Sequence, residues 1–348
     1  MLYTFVRLAY KSNGKAGFLH KKEIVMRIYL AGDSLVKDYK EEEFIGGWGQ
    51  YLRQLCNVDV INFAEGGRSS RLFINEGRLA VIDKEISEGD YLLIEFCHND
   101  DDSKDYKTMF NRLTPLGEPD DSGRYPIIPG ELSDKRYLPP EYLAKLNDDE
   151  KIKDKQAVIN NIYNMFDAYP ENEYYPYSED GSKGTYKWFL KQYIDTAREH
   201  GAVPVLVTPP ARTQFQGGVI ADGPGLHGGN DFSYVRAMKQ LADETHTPVI
   251  DLFEMSKKYF EELGEEKIHF ITSIKMGVNK GAWPEDFNRE IKKAETVSEN
   301  THMNKYGAYI LARKIAESIN ESDNEQLLQL KKHVVLRDLG VALPEGLK

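Results

Sequence analysis

The sequence predicts an α/β protein, a parallel sheet with helices packed over both faces. Short apolar β-type runs recur along the chain, and amphipathic helical patterns fill most of the intervals between them. Right-handed βαβ crossovers require that alternation. Each of the first four runs is also followed at once by a polar cluster. In an open parallel sheet the carboxyl ends of the strands form the ligand edge, so these clusters converge there.

The first strand is read at 27–31 ("RIYLA") and stops at Gly32, Asp33 and Ser34. Before the second strand, 58–63 ("VDVINF"), Trp48, Tyr51, Leu52 and Leu55 recur at i, i+3, i+4 and i+7, one face of a helix. A helix from about Leu72 to Ile86 leads to the third strand, 91–96 ("YLLIEF"). "YKWFLKQYIDTAREHG" predicts a helix before the strand 203–207, "DFSYVRAMKQLADETH" another before the strand 248–251, and "NKYGAYILARKIAESI" a last one. The interval 101–182 breaks this rhythm. It is acidic and rich in Tyr and Pro, and an insertion of that length at a ligand edge is usually functional or disordered. Its aromatics suit either a platform for sugar rings or packing against its own domain. The domain is read as 27–320, with 321–348 a tail made of a helix and a peripheral segment.

With 348 residues, 41% hydrophobic and 29% charged, the chain has the composition of a soluble globular protein. Its net charge of −11 argues against nucleic acid, because phosphate binding needs clustered Lys and Arg. The apolar runs fall short of the ~20 residues of a membrane span. Cys56 and Cys97 have neither metal-type nor redox-type spacing. A disulfide framework and a thiolate zinc site are therefore excluded, and a reducing cytoplasm fits. The first 26 residues lack the apolar core and cleavage site of a secretory signal. They are read as an extension, with the native chain expected to start at Met26.

Asp33 and Ser34 could simply cap a helix. Ser34 could instead be a nucleophile, if other segments supply a base, an orienting acid and oxyanion donors. His302, in "SENTHMNKYGAY", is the candidate base, and Glu299 precedes it by three residues. One turn of irregular backbone would let that carboxylate reach the imidazole nitrogen facing away from the serine. The competing reading makes Asn300 or Thr301 the cap of the last helix and His302 a bystander. The backbone N–H groups of Ser34 and Gly67 and the side chain of Asn99 are candidate oxyanion donors; turn-forming roles compete for Gly67 and Asn99. Arg68 and Arg212 suit either a uronate carboxylate or structural ion pairs, and His98 either lines the pocket or is structural. Ser69 and Ser70 are hydroxyls without an evident partner. "GPGLHGGND", around His227, has a G-x-G-x-x-G spacing but no preceding strand, which excludes a dinucleotide site.

Ser34 in "GDS", Gly67 in "GGRS", Asn99 in "HND" and His302 in "ENTH" together resemble the four blocks of the SGNH (GDSL) hydrolase superfamily. The segments "YLAGDS", "GWGQYL", "VINFAEGGRSSR", "GDYLLIEFCHND", "GAVPVLVTPPAR" and "THMNKYGA" resemble rhamnogalacturonan acetylesterases, over roughly 27–100 and 184–319. The resemblance implies a three-layer α/β/α sandwich with a five-stranded parallel sheet, flavodoxin-like in order. It implies a serine esterase with Ser34, Glu299 and His302 as triad and Ser34, Gly67 and Asn99 as oxyanion hole. An acyl-enzyme on Ser34 and no metal or organic cofactor follow from it. The implied substrate is an O-acetylated carbohydrate, such as a pectin-derived oligosaccharide. Those enzymes usually carry Asp where Glu299 stands, and Asp286 in "WPEDFN" is an alternative acid. A broader acyl esterase, or a carbohydrate-binding protein that has lost catalysis, are the competing functions.

Overall fold

The computed structural model describes residues 9–12, 15–18, 26–40, 43–101, 114–129, 155–156, 184–223, 232–274, 298–341 and 347. Strands β1 (Ala9–Ser12) and β2 (Lys15–Phe18) form an antiparallel pair. The central sheet begins at β3 (Arg27–Gly32), flanked by β4 (Asp59–Asn62) and β5 (Tyr91–Glu95). It continues through β6 (Val203–Val207); the small hairpin β7 (Phe215–Gln216) and β8 (Val219–Ile220) lies outside it. The last sheet strand is β9 (Val249–Ile250), and all five run parallel in the order β4-β3-β5-β6-β9. In chain order of the sheet strands this is the flavodoxin-like arrangement, whose crevice opens where β3 and β5 diverge.

Alternate residues of β3 serve two cores, as the period of a strand requires: Ile28 and Leu30 join one cluster, Tyr29 and Ala31 the other. The first cluster is covered by helices α1 (Trp48–Leu52), α6 (Leu252–Leu263) and α7 (Lys305–Glu321). The second is covered by α2 (Ser70–Asn75), α3 (Arg78–Glu85), α4 (Tyr186–Glu199) and α5 (Ser233–Thr245). The result is the three-layer sandwich that the resemblance implied.

Two elements depart from the sequence reading. The single helix expected from about Leu72 to Ile86 is two helices, because Gly77 adopts a left-handed conformation (φ 74°) that ends α2 and starts α3. Helix α6, capped by the Asp251 side chain on the Glu254 N–H, was not anticipated. The tail contains α8 (Leu328–Lys331) and closes on the segment after α1 through Asn57 N–H to His333 C=O and Val335 N–H to Leu55 C=O. Among the described residues no helix is long and apolar enough to cross a membrane.

Candidate active site

The turn after β3 bears on the two roles open to Ser34. Asp33, not Ser34, satisfies the local backbone: its Oδ1 accepts the Leu35 N–H at 2.8 Å, and its carbonyl accepts Val36 and Lys37. Gly32 is needed just before it, since a Cβ there would lie 2.4 Å from Val36 Cγ2. The Ser34 hydroxyl is left to meet His302, with Nε2 at 2.8 Å from Oγ. The Tyr39 hydroxyl donates to the Ser34 carbonyl at 3.0 Å.

His302 belongs to β11 (Ser298–Met303), which pairs antiparallel with β10 (Thr272–Ile274). The irregular turn expected before His302 is thus a strand. The cap of α7 is Asn304, whose Oδ1 accepts the N–H groups of Tyr306 and Gly307, so neither Asn300 nor Thr301 has that task. Arg212, on the loop after β6, donates from Nη1 to Thr301 Oγ1 and from Nη2 to the His98 carbonyl at 3.2 Å. The Thr213 N–H donates to the Asn300 carbonyl at 2.8 Å. These bonds lace β11 to the loops after β5 and β6 and hold the imidazole over Ser34. The side chain of Glu299, and the whole of Asp286 and His227, lie outside the described residues, as does most of 101–182.

The loop after β4 packs directly on Ser34. A Cβ on Gly66 would stand 3.7 Å from Ser34 Cβ, and Gly67 takes a left-handed φ of 80°. Asn99 Nδ2 donates to Asp33 Oδ2 at 3.0 Å and to the Arg68 carbonyl at 3.2 Å, tying the loops after β3, β4 and β5 together. An amide nitrogen has two protons, so an oxyanion role for Asn99 requires one of these to turn toward substrate. Of the two, the bond to Arg68 is the longer.

Arg68 grips the fully buried Glu76 through Nε at 2.9 Å and Nη2 at 2.8 Å, and Arg78 Nε reaches the same carboxylate at 2.9 Å. Its fork is thereby committed to a structural pair. His98 is buried. The two neighbouring serines also have partners: Ser69 Oγ caps α2 by accepting the Leu72 N–H, and Ser70 Oγ donates to Asp100 Oδ1 at 2.5 Å.

Three buried acids lie beneath this edge; the sequence reading gave Asp33 only a capping role and gave Glu95 and Asp100 none. Asp33, Glu95 and Asp100 are all 0% exposed. Burial pushes Asp33 up to about 6, against the opposing pull of the Leu35 N–H and the charges of His302 and Arg212. Burial pushes Asp100 up to about 7, although Ser70 and Thr114 donate to it. Glu95 is raised well above the ordinary carboxylate range by burial and by the nearby charges of Asp33 and Asp100. Asp33, Glu95 and His98 each offer one polar atom within 4.8 Å of the others, so that two buried carboxyl groups and an imidazole gather at one place. The sequence signal was present, in an acidic residue ending each of two apolar strand segments, "LAGD" and "LLIE".

No family model matches the chain. A probable rhamnogalacturonan acetylesterase, YesY of Bacillus subtilis (strain 168), is 33% identical over 297 residues, covering 84% of this chain and 92% of that protein. The rhamnogalacturonan acetylesterase RhgT of the same organism is 30% identical over 317 residues, or 90% of this chain and 96% of that protein. The solved structure of the Bacillus subtilis protein YxiM shares the fold, with a TM-score of 0.50 and 21% identity over 89% of this chain and 62% of that one.

Proposed function

Because the chain belongs to the rhamnogalacturonan acetylesterase family of SGNH (GDSL) hydrolases, and is a carboxylic ester hydrolase, we propose that it removes O-acetyl groups from pectin-derived oligosaccharides through an acyl-enzyme on Ser34. The observation that carries the mechanism is the 2.8 Å contact between His302 Nε2 and Ser34 Oγ, with the rest of the serine's turn satisfied by Asp33. The substrate class rests on the relatives' names.

In this reading His302 Nε2 takes the Oγ proton as Ser34 attacks the acetyl carbonyl. The backbone N–H groups of Ser34 and Gly67 and the Asn99 amide receive the oxyanion. As the ester C–O bond breaks, the imidazolium protonates the leaving sugar oxygen to give the free hydroxyl; His302 then takes a proton from the water that attacks the acetyl-enzyme and returns it to Ser34 Oγ as acetate leaves. Glu299 is the proposed orienting acid. Residues 27–320 form the proposed hydrolase domain.

The test is acetate release from acetylated rhamnogalacturonan oligosaccharides and from acetylated xylan, comparing the unaltered protein with Ser34→Ala and His302→Ala. Release from the first substrate, abolished in both variants, is expected. Faster release from xylan refutes the substrate class, and release that survives Ser34→Ala refutes the nucleophile.

A further inference from the structure

Glu95 has no place in the reaction just described, yet its position is unusual. The parallel register pairs Gly32 with Glu95, so the last residue of β5 sits beside the residue that precedes Asp33. Its carboxyl group is fully buried, and neither oxygen receives a hydrogen bond from the protein. An ionised carboxylate in that condition loses its hydration without recompense, at a cost of several kcal/mol. A neutral carboxylic acid does not, provided that its O–H finds an acceptor. Asp33 offers one. Its Oδ1 takes the Leu35 N–H and its Oδ2 takes Asn99 Nδ2, which leaves further lone pairs on both oxygens.

We propose that Glu95 is a neutral acid whose O–H donates to the Asp33 carboxylate, and that it is a positioning residue acting through Asp33 on Asn99 and the Ser34 turn. The proton is held between two carboxyl groups, a pairing in which one acid stays protonated so that the other can remain charged. Asp33 must remain charged, because a neutral Asp33 would lose its attraction for His302 and Arg212. The ionisable groups facing the pair are His302 from β11, Arg212 from the loop after β6, and Cys97, His98 and Asp100 from the loop after β5. Tyr186 faces it from α4. With three donors on it, Asp33 has a fixed orientation and anchors one proton of the Asn99 amide, leaving the other to exchange the Arg68 carbonyl for the oxyanion.

The inference rests on the esterase reading for its effect on catalysis but not for the state of Glu95 itself. The state is measured on the unaltered protein carrying ¹³C-labelled glutamate, following the side-chain carboxyl resonances between pH 6 and 8; Glu95→Gln identifies the signal by removing it. A Glu95 carboxyl that stays protonated across this range is expected, and an ionised one overturns the proposal. So does a stoichiometric divalent metal found in the purified protein by elemental analysis. For positioning, Glu95→Gln retains a donor toward Asp33 and is expected to keep kcat within about threefold. Glu95→Leu, which has none, is expected to lose about tenfold in kcat with KM little changed. If the Gln variant is as impaired as the Leu variant, or the Leu variant is unimpaired, positioning through this bond is refuted. Activity surviving in Ser34→Ala would instead refute the esterase reading and leave the resonance assignment intact.

Discussion

Asp100 is accessible to a direct thermodynamic test. Its carboxyl is fully buried, accepts the Ser70 N–H and hydroxyl, and titrates at about 7 in the folded protein against 3.8 in its ordinary state. The folded state therefore binds this proton more tightly than the unfolded chain. The stability associated with it is complete below pH 3.8 and is lost as the pH rises through about 7. Between pH 5 and pH 8 the loss covers about two pH units, and at 1.36 kcal/mol per unit amounts to about 3 kcal/mol. Asp100→Asn keeps an oxygen to accept from Ser70 but cannot ionise. Urea denaturation of both proteins at pH 5, 6, 7 and 8 is the assay. The unaltered protein should lose about 3 kcal/mol relative to the variant across that range. Curves that run parallel within about 1 kcal/mol would mean that Asp100 titrates alike in both states, and the burial argument would be wrong.

Asn99→Ala should lower kcat by ~10²-fold or more with a smaller effect on KM, read from steady-state deacetylation, because it removes both the proposed oxyanion donor and the tie to Asp33. Arg212→Ala should lower kcat with KM nearly unchanged, since its guanidinium holds Thr301 and the His98 carbonyl; a selective rise in KM would mark it as a uronate contact instead. Glu76→Gln should cost about 3 kcal/mol in chemical denaturation by leaving Arg68 and Arg78 without their shared anion, while KM stays unchanged. Gly307→Ala should lower Tm, because its Cβ would stand 2.3 Å from the Ile271 carbonyl and push α7 away from the segment that leads into β10, the strand paired with the one that carries His302.

The five sheet strands were legible because central parallel strands are buried on both faces and read as short unbroken apolar runs. Helices α4, α5 and α7 were legible from their periodic buried faces, such as Phe189, Leu190, Tyr193 and Ile194. The break at Gly77 was less visible, since a glycine within an otherwise periodic segment is also compatible with a continuous helix. Ser34, Gly67, Asn99 and His302 stood out because each follows or precedes a regular element at the same edge. Glu95 did not stand out. Its carboxyl is remarkable only once the register with β3 is known, and register between segments some sixty residues apart is a tertiary property. The roles of Arg68 and Arg212 were likewise undecidable from local sequence, because their partners, Glu76 and Thr301, are selected by the folded chain.

The 2.8 Å contact between Ser34 and His302 joins residues 268 positions apart, one at the end of the first strand of the sheet and the other just before its last long helix. On the proposed mechanism, the nucleophile is synthesised long before its base has been made. Until then a chain that has already assembled much of its sheet carries only an unactivated hydroxyl. Hydrolysis can begin only after the carboxyl-terminal part of the chain has docked, so the onset of acetate release in a coupled translation reaction would time the closing event of folding without any added label.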